Sequence, residues 1–210
     1  MLHRFIAALA AVLLLAGCEQ AKEAKNAYNV VTHAAEASKE VAAGLDDAQA
    51  RQAARVKNGD TLALPYKELQ KYLPETVPGF PTADDLAGQT MQMPGMHYSQ
   101  AFRAFHHGDK QQLTVMLVDY NGAGELFTAA SGMMALGMEM EDEDQRMSSA
   151  DLGRKGLKAI EFYEKKKRDA KIVVAINDRF MVTVEATDQP DTEAVKSVAK
   201  SLKYDNLLAK

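Results

Sequence analysis

Residues 171–187 read KIVVAI-ND-RFMVTVEAT and contain the clearest strand pattern of the chain. Two runs rich in β-branched residues, 171–176 and 179–187, are separated by two residues only. Both of these, Asn177 and Asp178, tolerate the left-handed backbone that a tight hairpin turn requires. The stretch therefore predicts an antiparallel β-hairpin.

The strands that precede this hairpin follow a similar pattern. Residues 98–106 alternate, and residues 111–120 are rich in Val and Leu. Gly108-Asp109 supplies a tight turn between them, so the two runs predict a second hairpin. Residues 157–163 predict a further strand. Tight turns between neighbouring strands mean antiparallel pairing.

Three helices complete the predicted domain. Apolar residues at helical spacing predict helices over residues 64–73, 125–136 and 190–202. Asp191 or Thr192 is suited to cap the last of them. We expect the helices to cover one face of the sheet. The predicted fold class is α+β, with a mainly antiparallel sheet and helices packed on it.

The first eighteen residues have the pattern of an export signal. Residues 1–4 are short and basic, and residues 5–15 are apolar but too few to span a bilayer as a helix. The only cysteine follows at once, in Leu15-Ala16-Gly17-Cys18. These four residues resemble the lipobox of bacterial lipoproteins. The resemblance implies cleavage before Cys18 and its modification by diacylglyceryl and palmitate chains. The alternative is a plain secretory signal with an accidental cysteine.

A lipid on Cys18 predicts where the protein lies. Each buried CH₂ contributes about 0.8 kcal/mol, so several acyl chains hold a protein on a membrane for long times. Glu19 follows the cysteine. In enteric-type lipoproteins an Asp at that position favours the inner membrane. By that resemblance Glu19 favours the outer membrane, with the domain in the periplasm. A lipid-bearing Cys18 leaves no free thiol for catalysis.

Residues 18–58 form an Ala-rich region between the signal peptide (1–17) and the globular domain (59–210). The region contains no proline and one aromatic residue, Tyr28. Small residues recur at alternating steps of four and three from Ala27 to Ala48, a coiled-coil-like pattern. We expect a helical stalk of roughly 55 Å, at 1.5 Å per residue. The stalk is either a lone spacer or pairs with another helix.

Composition excludes several function classes. The chain has 25 basic and 29 acidic residues and a net charge of −4, whereas nucleic-acid binders need a basic face. One cysteine excludes a disulfide framework and a thiolate metal cluster. Gly122-Ala123-Gly124 is followed by Phe127 where a dinucleotide-binding turn needs its third glycine. We therefore expect no nucleic-acid partner and no dinucleotide cofactor.

Short motifs between residues 64 and 208 resemble a family of uncharacterised envelope proteins of proteobacteria. The motifs are Leu73-Pro74, Gly79-Phe80, Gly88-Gln89-Thr90, Gly95-Met96, Gly108-Asp109-Lys110, Asp119-Tyr120, Arg179-Phe180-Met181-Val182 and a closing helix that ends on Leu207. The resemblance implies a PsbP-like α/β sandwich. That fold serves binding and scaffolding more than catalysis, although a fold alone does not decide function.

Residues 91–97 read MQMPGMH and form a candidate metal site. Thioethers are soft ligands that select Cu(I), and they need no deprotonation. On a strand, Met91 and Met93 share one face, and Met96 with His97 completes the set after the Pro-Gly turn. The competing interpretation is that these methionines fill irregular parts of the core.

Two charged runs lie in the second half of the domain. Residues 139–144 are mostly acidic but lack the ligand spacing of a calcium loop, so we expect a solvated loop. Residues 165–168 are a basic run of four, too short for nucleic acid. The basic run could meet anionic lipid phosphates or pair with the acidic run.

The leading hypothesis is a non-enzymatic, lipid-anchored module that binds an envelope protein partner or supports envelope organisation. It predicts an exposed apolar or charged patch on the domain. The first alternative is a periplasmic Cu(I)-binding lipoprotein that uses residues 91–97. The second is an enzyme with an unrecognised site, near Asp119, Tyr120 and His106.

Overall fold

The computed structural model describes residues 44, 46–135, 137 and 139–210. The predicted signal peptide, Cys18 and most of the predicted stalk lie outside the described residues. Within them, the predicted fold class is confirmed, because one large antiparallel sheet carries several helices. No helix in the described part of the chain is long and apolar enough to cross a membrane.

The described residues form five helices and nine strands. The helices are α1 (46–57), α2 (Tyr66–Leu69, continued by a 3-10 turn over Gln70–Tyr72), α3 (Gly124–Ala135), α4 (Glu193–Ser201) and α5 (Asp205–Leu208). The strands are β1 (Thr82–Ala83), β2 (Ala87–Met93), β3 (Met96–His107), β4 (Gln111–Gly122), β5 (Met140–Glu141), β6 (Gln145–Ala150), β7 (Leu157–Glu164), β8 (Asp169–Ile176) and β9 (Phe180–Ala186).

All nine strands belong to one sheet, and every described pairing is antiparallel. The order is β1-β3-β4-β9-β8-β7-β6-β5, and β2 also pairs with β3. One edge of the sheet is therefore made by β1 and β2, and the other by β5. The strands β4, β9 and β8 run through the middle.

The hairpin predicted over residues 171–187 is confirmed. Its two strands are β8 and β9, and its turn holds Asn177 at φ 52° and Asp178 at φ 49°. Two consecutive left-handed residues are typical of the type I′ turn. The backbone N–H of Arg179 donates to the carbonyl of Ile176 across the turn at 3.2 Å, so β9 begins at Phe180.

The central strands have an apolar core on each face. The α4 face, to which Ile172 and Val174 point, carries the larger core beneath α2, α4 and α5. The α3 face, to which Val173 and Ala175 point, carries a smaller core beneath Phe127 of α3. The expectation that helices cover one face only is thus wrong. Strand β8 is apolar without interruption from residue 172 to 176, so both of its faces need cover.

Two strands of normal length have no clear signal in the sequence. β2 reads AGQTMQM and β6 reads QRMSSA, and both are poor in the β-branched residues that favour strands. Their pairing with β3 and β7 is decided by the neighbouring strands. The acidic run expected as a loop contains the short β5 and a turn in which Asp142 accepts from the backbone N–H of Asp144 and of Gln145, both at 2.8 Å.

The last turns of α1 contact the sheet. Arg55 Nε donates to Asn121 Oδ1 at 3.0 Å, and Arg51 forms an ion pair with Asp178. Residues that the sequence assigns to the predicted stalk therefore take part in the domain. The compact unit accordingly extends over Leu45–Lys210.

Candidate functional site

The methionine segment forms a hairpin at the edge of the sheet. Pro94 and Gly95 make the two-residue turn between β2 and β3, and Gly95 has φ +77°. Met93 lies opposite Met96, and Met91 lies two residues back along β2, so these three side chains point to the α3 face. The structure thus places three of the four predicted copper ligands on one face.

The fourth predicted ligand, His97, points to the opposite face. It lies opposite Gln92, and its Nδ1 accepts a hydrogen bond from the backbone N–H of Ala63 at 2.9 Å. Adjacent strand residues point to opposite faces. A site on the α3 face would therefore contain the three methionines without His97. Met93, Met96 and His97 also line one open cavity at the end of the hairpin, which Met91 does not line. Among the described residues, no three His, Cys, Asp or Glu side chains are grouped as metal ligands.

The most deeply buried charges lie where β4 meets the start of β9. Arg179 donates through Nε and Nη2 to the two carboxylate oxygens of Asp119, at 3.0 and 2.9 Å. The Asp119 side chain is 0% exposed and that of Arg179 is 2% exposed. Burial lowers the pKa of Arg179, but the hydrogen bond and charge of Asp119 and the charge of Asp60 raise it overall. Removing one partner would leave a charge in the core.

The same carboxylate holds the segment that enters the domain. Asp119 Oδ2 accepts from the backbone N–H of Leu64 at 2.9 Å, and Asp60 pairs with Arg179 at 2.7 Å. Asn121 donates to Asp60 Oδ1, also at 2.7 Å. These groups are 55 to 119 residues apart in sequence, so no local pattern predicts the network. Its contacts tie residues 60–64 to β4 and β9, which is a structural role.

The residues suggested for an enzyme site are separated in space. Asp119 is on the α4 face, where its buried carboxylate accepts hydrogen bonds from Arg179. Tyr120 points to the α3 face and stacks on Tyr98 with ring centroids 6.3 Å apart, and burial together with Tyr98 raises its pKa. His106 lies at the other end of β3, where its Nε2 is 3.1 Å from a carboxylate oxygen of Asp84. These three residues do not form a common site.

A second buried carboxylate joins α4 to the sheet. Glu161 on β7 is 7% exposed, accepts from Thr192 Oγ1 at 2.9 Å and pairs with Lys196 at 3.0 Å. Thr192 is thereby engaged with Glu161. Asp191 accepts the backbone N–H of Glu193 at 2.8 Å, so Asp191 is the residue whose side chain caps α4.

The basic run pairs with carboxylates at the surface. Lys165 Nζ lies 2.9 Å from Glu141, and Lys166 lies 2.5 Å from Asp144. The other two basic residues also have carboxylate partners: Lys167 with Glu164 and Arg168 with Asp188. Of the two roles left open for this run, the structure therefore shows pairing with the acidic run. Lys165 keeps 34% of its side chain exposed and the other side chains are more exposed, so each pair contributes little free energy.

Helix α3 covers only part of its face. Beyond it lies a shallow cavity of about 230 Å³, lined in part by Phe102, Met116 and Thr114. A neighbouring cavity of about 310 Å³ extends toward Phe162. Both are lined by Thr114 and Glu185, so together they follow the sheet from β3 to β7. Their open form leaves part of the α3 face accessible.

Strand β2 presents an open edge. No described strand pairs with its outer side, and its seven residues include no charge and no proline. Gln89, Thr90, Gln92 and Met93 are exposed. Soluble proteins usually protect an edge of this length with charges, proline, a bulge or a covering loop, because free N–H and C=O groups bind further strands.

Exposed apolar side chains lie beside this edge. Leu86 precedes β2, Met93 ends it, and Phe102 lies opposite Ala87 on β3. Their exposed fractions are 41%, 45% and 36%. We call Leu86, Met93 and Phe102 the β2 edge patch. No local pattern in the sequence distinguishes Leu86 or Phe102, because their exposure depends on which strands surround them.

Similarity to known proteins is weak. No family model matches the chain, and no curated protein matches it. The chain is similar to an uncharacterised protein from Mycobacterium smegmatis whose crystal structure is known. The similarity covers 69% of this chain and 92% of that one, with 12% sequence identity and a TM-score of 0.32.

Proposed function

We propose that this protein is a lipoprotein of the bacterial envelope, whose α+β domain is a non-enzymatic module that binds a protein partner. Lipid on Cys18 anchors it, on the outer membrane in preference to the inner, and the domain faces the periplasm. The resemblance of Leu15-Ala16-Gly17-Cys18 to a lipobox supports the anchor, and Glu19 supports the outer membrane.

The β2 edge carries the proposed binding role. An uncharged strand edge flanked by exposed apolar side chains is suited to pair with a further strand, since main-chain hydrogen bonds supply affinity and side chains supply specificity. Apolar patches of this kind often mark interaction sites. The separation of Asp119, Tyr120 and His106 favours this role over an enzyme built on those residues.

The anchor is tested by labelling cells that express the full chain with an alkyne-bearing palmitate analogue. We expect label on the unsubstituted protein and none on Cys18→Ala, because the thiol is the acylated group. Glu19→Asp should keep the label and move the protein toward the inner membrane on a density gradient. An unlabelled wild-type chain would overturn the anchor.

The binding role is tested by photo-crosslinking in intact cells. A photoreactive phenylalanine replaces Phe102 in the β2 edge patch, and the matched control replaces Leu126, an exposed apolar residue of α3. We expect a discrete protein adduct from position 102 and none from position 126. Equal adducts at both positions, or none at position 102, would contradict the proposal.

Copper binding is a second candidate, because Met91, Met93 and Met96 lie on one face of adjacent strands. Neighbouring Cβ atoms across such a pair are about 5 Å apart, which suits convergence of long side chains. A Cu(I) titration of the full chain tests it beside a variant with all three changed to Leu. Tight one-to-one binding that the variant loses and His97→Ala keeps would support a three-thioether site. Equal binding by the triple variant would exclude it.

A further inference from the structure

The β2 edge is complementary to itself. We propose that its partner is a second copy of this chain, which adds its own β2 antiparallel to the first across a two-fold axis at Thr90. The result is one continuous sheet with nine described strands from each copy. This inference deepens the proposed function, and it rests on that function only in taking the β2 edge as the binding surface.

The backbone groups at this edge are in register with themselves. Met93 and Met96 flank a two-residue turn, so this pair makes the hydrogen bonds that close the hairpin. Alternation along the ladder then directs the N–H and C=O groups of Gly88, Thr90 and Gln92 away from β3. A two-fold axis at Thr90 places Thr90 opposite its own copy and Gly88 opposite Gln92. Each outward group thus meets an outward group of the other chain.

The side chains on the α3 face match as well. The same axis places Met93 opposite Ala87 of the second copy, and Ala87 is already opposite Phe102 within its own sheet. The exposed end of β2 in one copy therefore lies beside Phe102 of the other. Met93 and Phe102 of the β2 edge patch thus cover one another across the axis, which removes apolar surface from water.

Charge does not oppose this pairing. β2 has no charged residue, and the nearest carboxylates before it are Asp84 and Asp85. The turn at Pro94 and Gly95 ends β2 at Met93, which lies opposite Ala87 of the second copy, so Asp84 and Asp85 lie beyond the paired strands and face no like charge on them. This neutrality matters because the whole chain carries a net charge of −4.

The first test is sedimentation of the full chain in density-matched detergent over a range of concentrations. We expect a dimer for the unsubstituted protein and for Gln89→Thr, which keeps an uncharged strand former. Gln89→Lys should raise the dissociation constant at least about tenfold, because Lys is a residue that protects strand edges. Gln92→Pro should do the same, because it removes an outward N–H that the proposed pairing uses.

Circular dichroism verifies that each variant is folded. A monomer at every concentration, or a dimer that folded Gln89→Lys and Gln92→Pro both leave intact, would overturn the proposal. Palmitate labelling of the same samples tests the anchor separately, so a failed dimer and a failed lipoprotein assignment give different results.

The second test measures the register by oxidation. Thr90→Cys should form a disulfide-linked dimer, because an antiparallel hydrogen-bonded pair has Cα atoms about 5.5 Å apart, within disulfide range. Gln92→Cys should not, because residue 92 and its copy are four residues out of step, or about 14 Å at 3.4 Å per residue. The unsubstituted chain is the control, because any disulfide-linked dimer that forms through Cys18 appears there as well. Crosslinking at position 92 without crosslinking at position 90 would overturn the proposed register.

Discussion

The two edges of the sheet are built in opposite ways. The β5 edge is two residues long; its Glu141 pairs with Lys165, and Asp144 in the turn that follows pairs with Lys166. The β2 edge is seven residues long and uncharged. Short length and surface charge are common means of preventing a strand from pairing further. One edge of this sheet is therefore protected, and the other is open.

The two sides also place their buried charges differently. On the side of β2, Asp119 and Arg179 form a bidentate pair almost without exposure. On the side of β5, Glu161 and Lys196 form a pair in which the lysine keeps 20% of its side chain exposed. The cost of an unpaired charge rises with burial. Breaking the Asp119–Arg179 pair should therefore lower the free energy of unfolding more than breaking the Glu161–Lys196 pair.

The largest effect should come from Arg179→Met, which leaves Asp119 buried and unpaired. We expect a loss of roughly 3–5 kcal/mol in the free energy of unfolding, measured by urea denaturation. Adding Asp119→Asn, which removes the charge and keeps an oxygen that can accept a backbone N–H, should restore part of that loss. Lys171→Met, which removes an exposed pair with Glu185, is the matched control and should cost no more than about 1 kcal/mol. An Arg179→Met variant that loses no more unfolding free energy than Lys171→Met would contradict this prediction.

A smaller, pH-dependent effect should come from Glu161→Gln. Burial raises the pKa of Glu161, but hydrogen bonds from Lys196 and Thr192 lower it overall. A lowered folded-state pKa contributes stability above the unfolded value of about 4.3, and this is lost as the pH falls through the folded value. We expect Glu161→Gln to cost roughly 1–3 kcal/mol at pH 7 and less below pH 4.

The control for Glu161→Gln is Glu193→Gln, which removes another carboxylate that pairs with Lys196. The side chain of Glu193 is 73% exposed. This variant should therefore cost no more than about 0.5 kcal/mol at pH 7. Denaturation series between pH 3 and pH 7 compare the two variants. A loss of unfolding free energy in Glu161→Gln that stayed constant from pH 3 to pH 7 would show that the ionisation of Glu161 does not stabilise the fold.

The smallest effect should come from Lys165→Ala at the β5 edge. Its pairs are at the surface, so we expect a loss of about 0.2–1 kcal/mol. Salt should shrink this difference further, since exposed charges are screened. Urea denaturation at low and at 1 M salt measures both values. A loss that is large and independent of salt would mean that the β5 edge depends on these charges far more than its exposure indicates.

Strands and helices with strong local patterns were predictable. The β8–β9 hairpin, the β3–β4 hairpin, α3 and α4 all lie close to their predicted ranges. β2 and β6 were not, because their polar residues have no strong preference of their own and pair where neighbouring strands leave an open ladder. In the candidate metal site the grouping of Met91, Met93 and Met96 was predictable. The direction of His97 follows from strand alternation and from its hydrogen bond to Ala63.

The α+β class, the turn at Asn177 and Asp178, and the lipobox-like segment that ends at Cys18 can be predicted from local sequence, because each depends on residues close together in the chain. The contact between Asp119 and Arg179, the helices on both faces and the open edge at β2 become visible only in the folded protein. These features depend on which distant strands become neighbours. Pairing and exposure are properties of the whole sheet, and no local stretch of residues contains them.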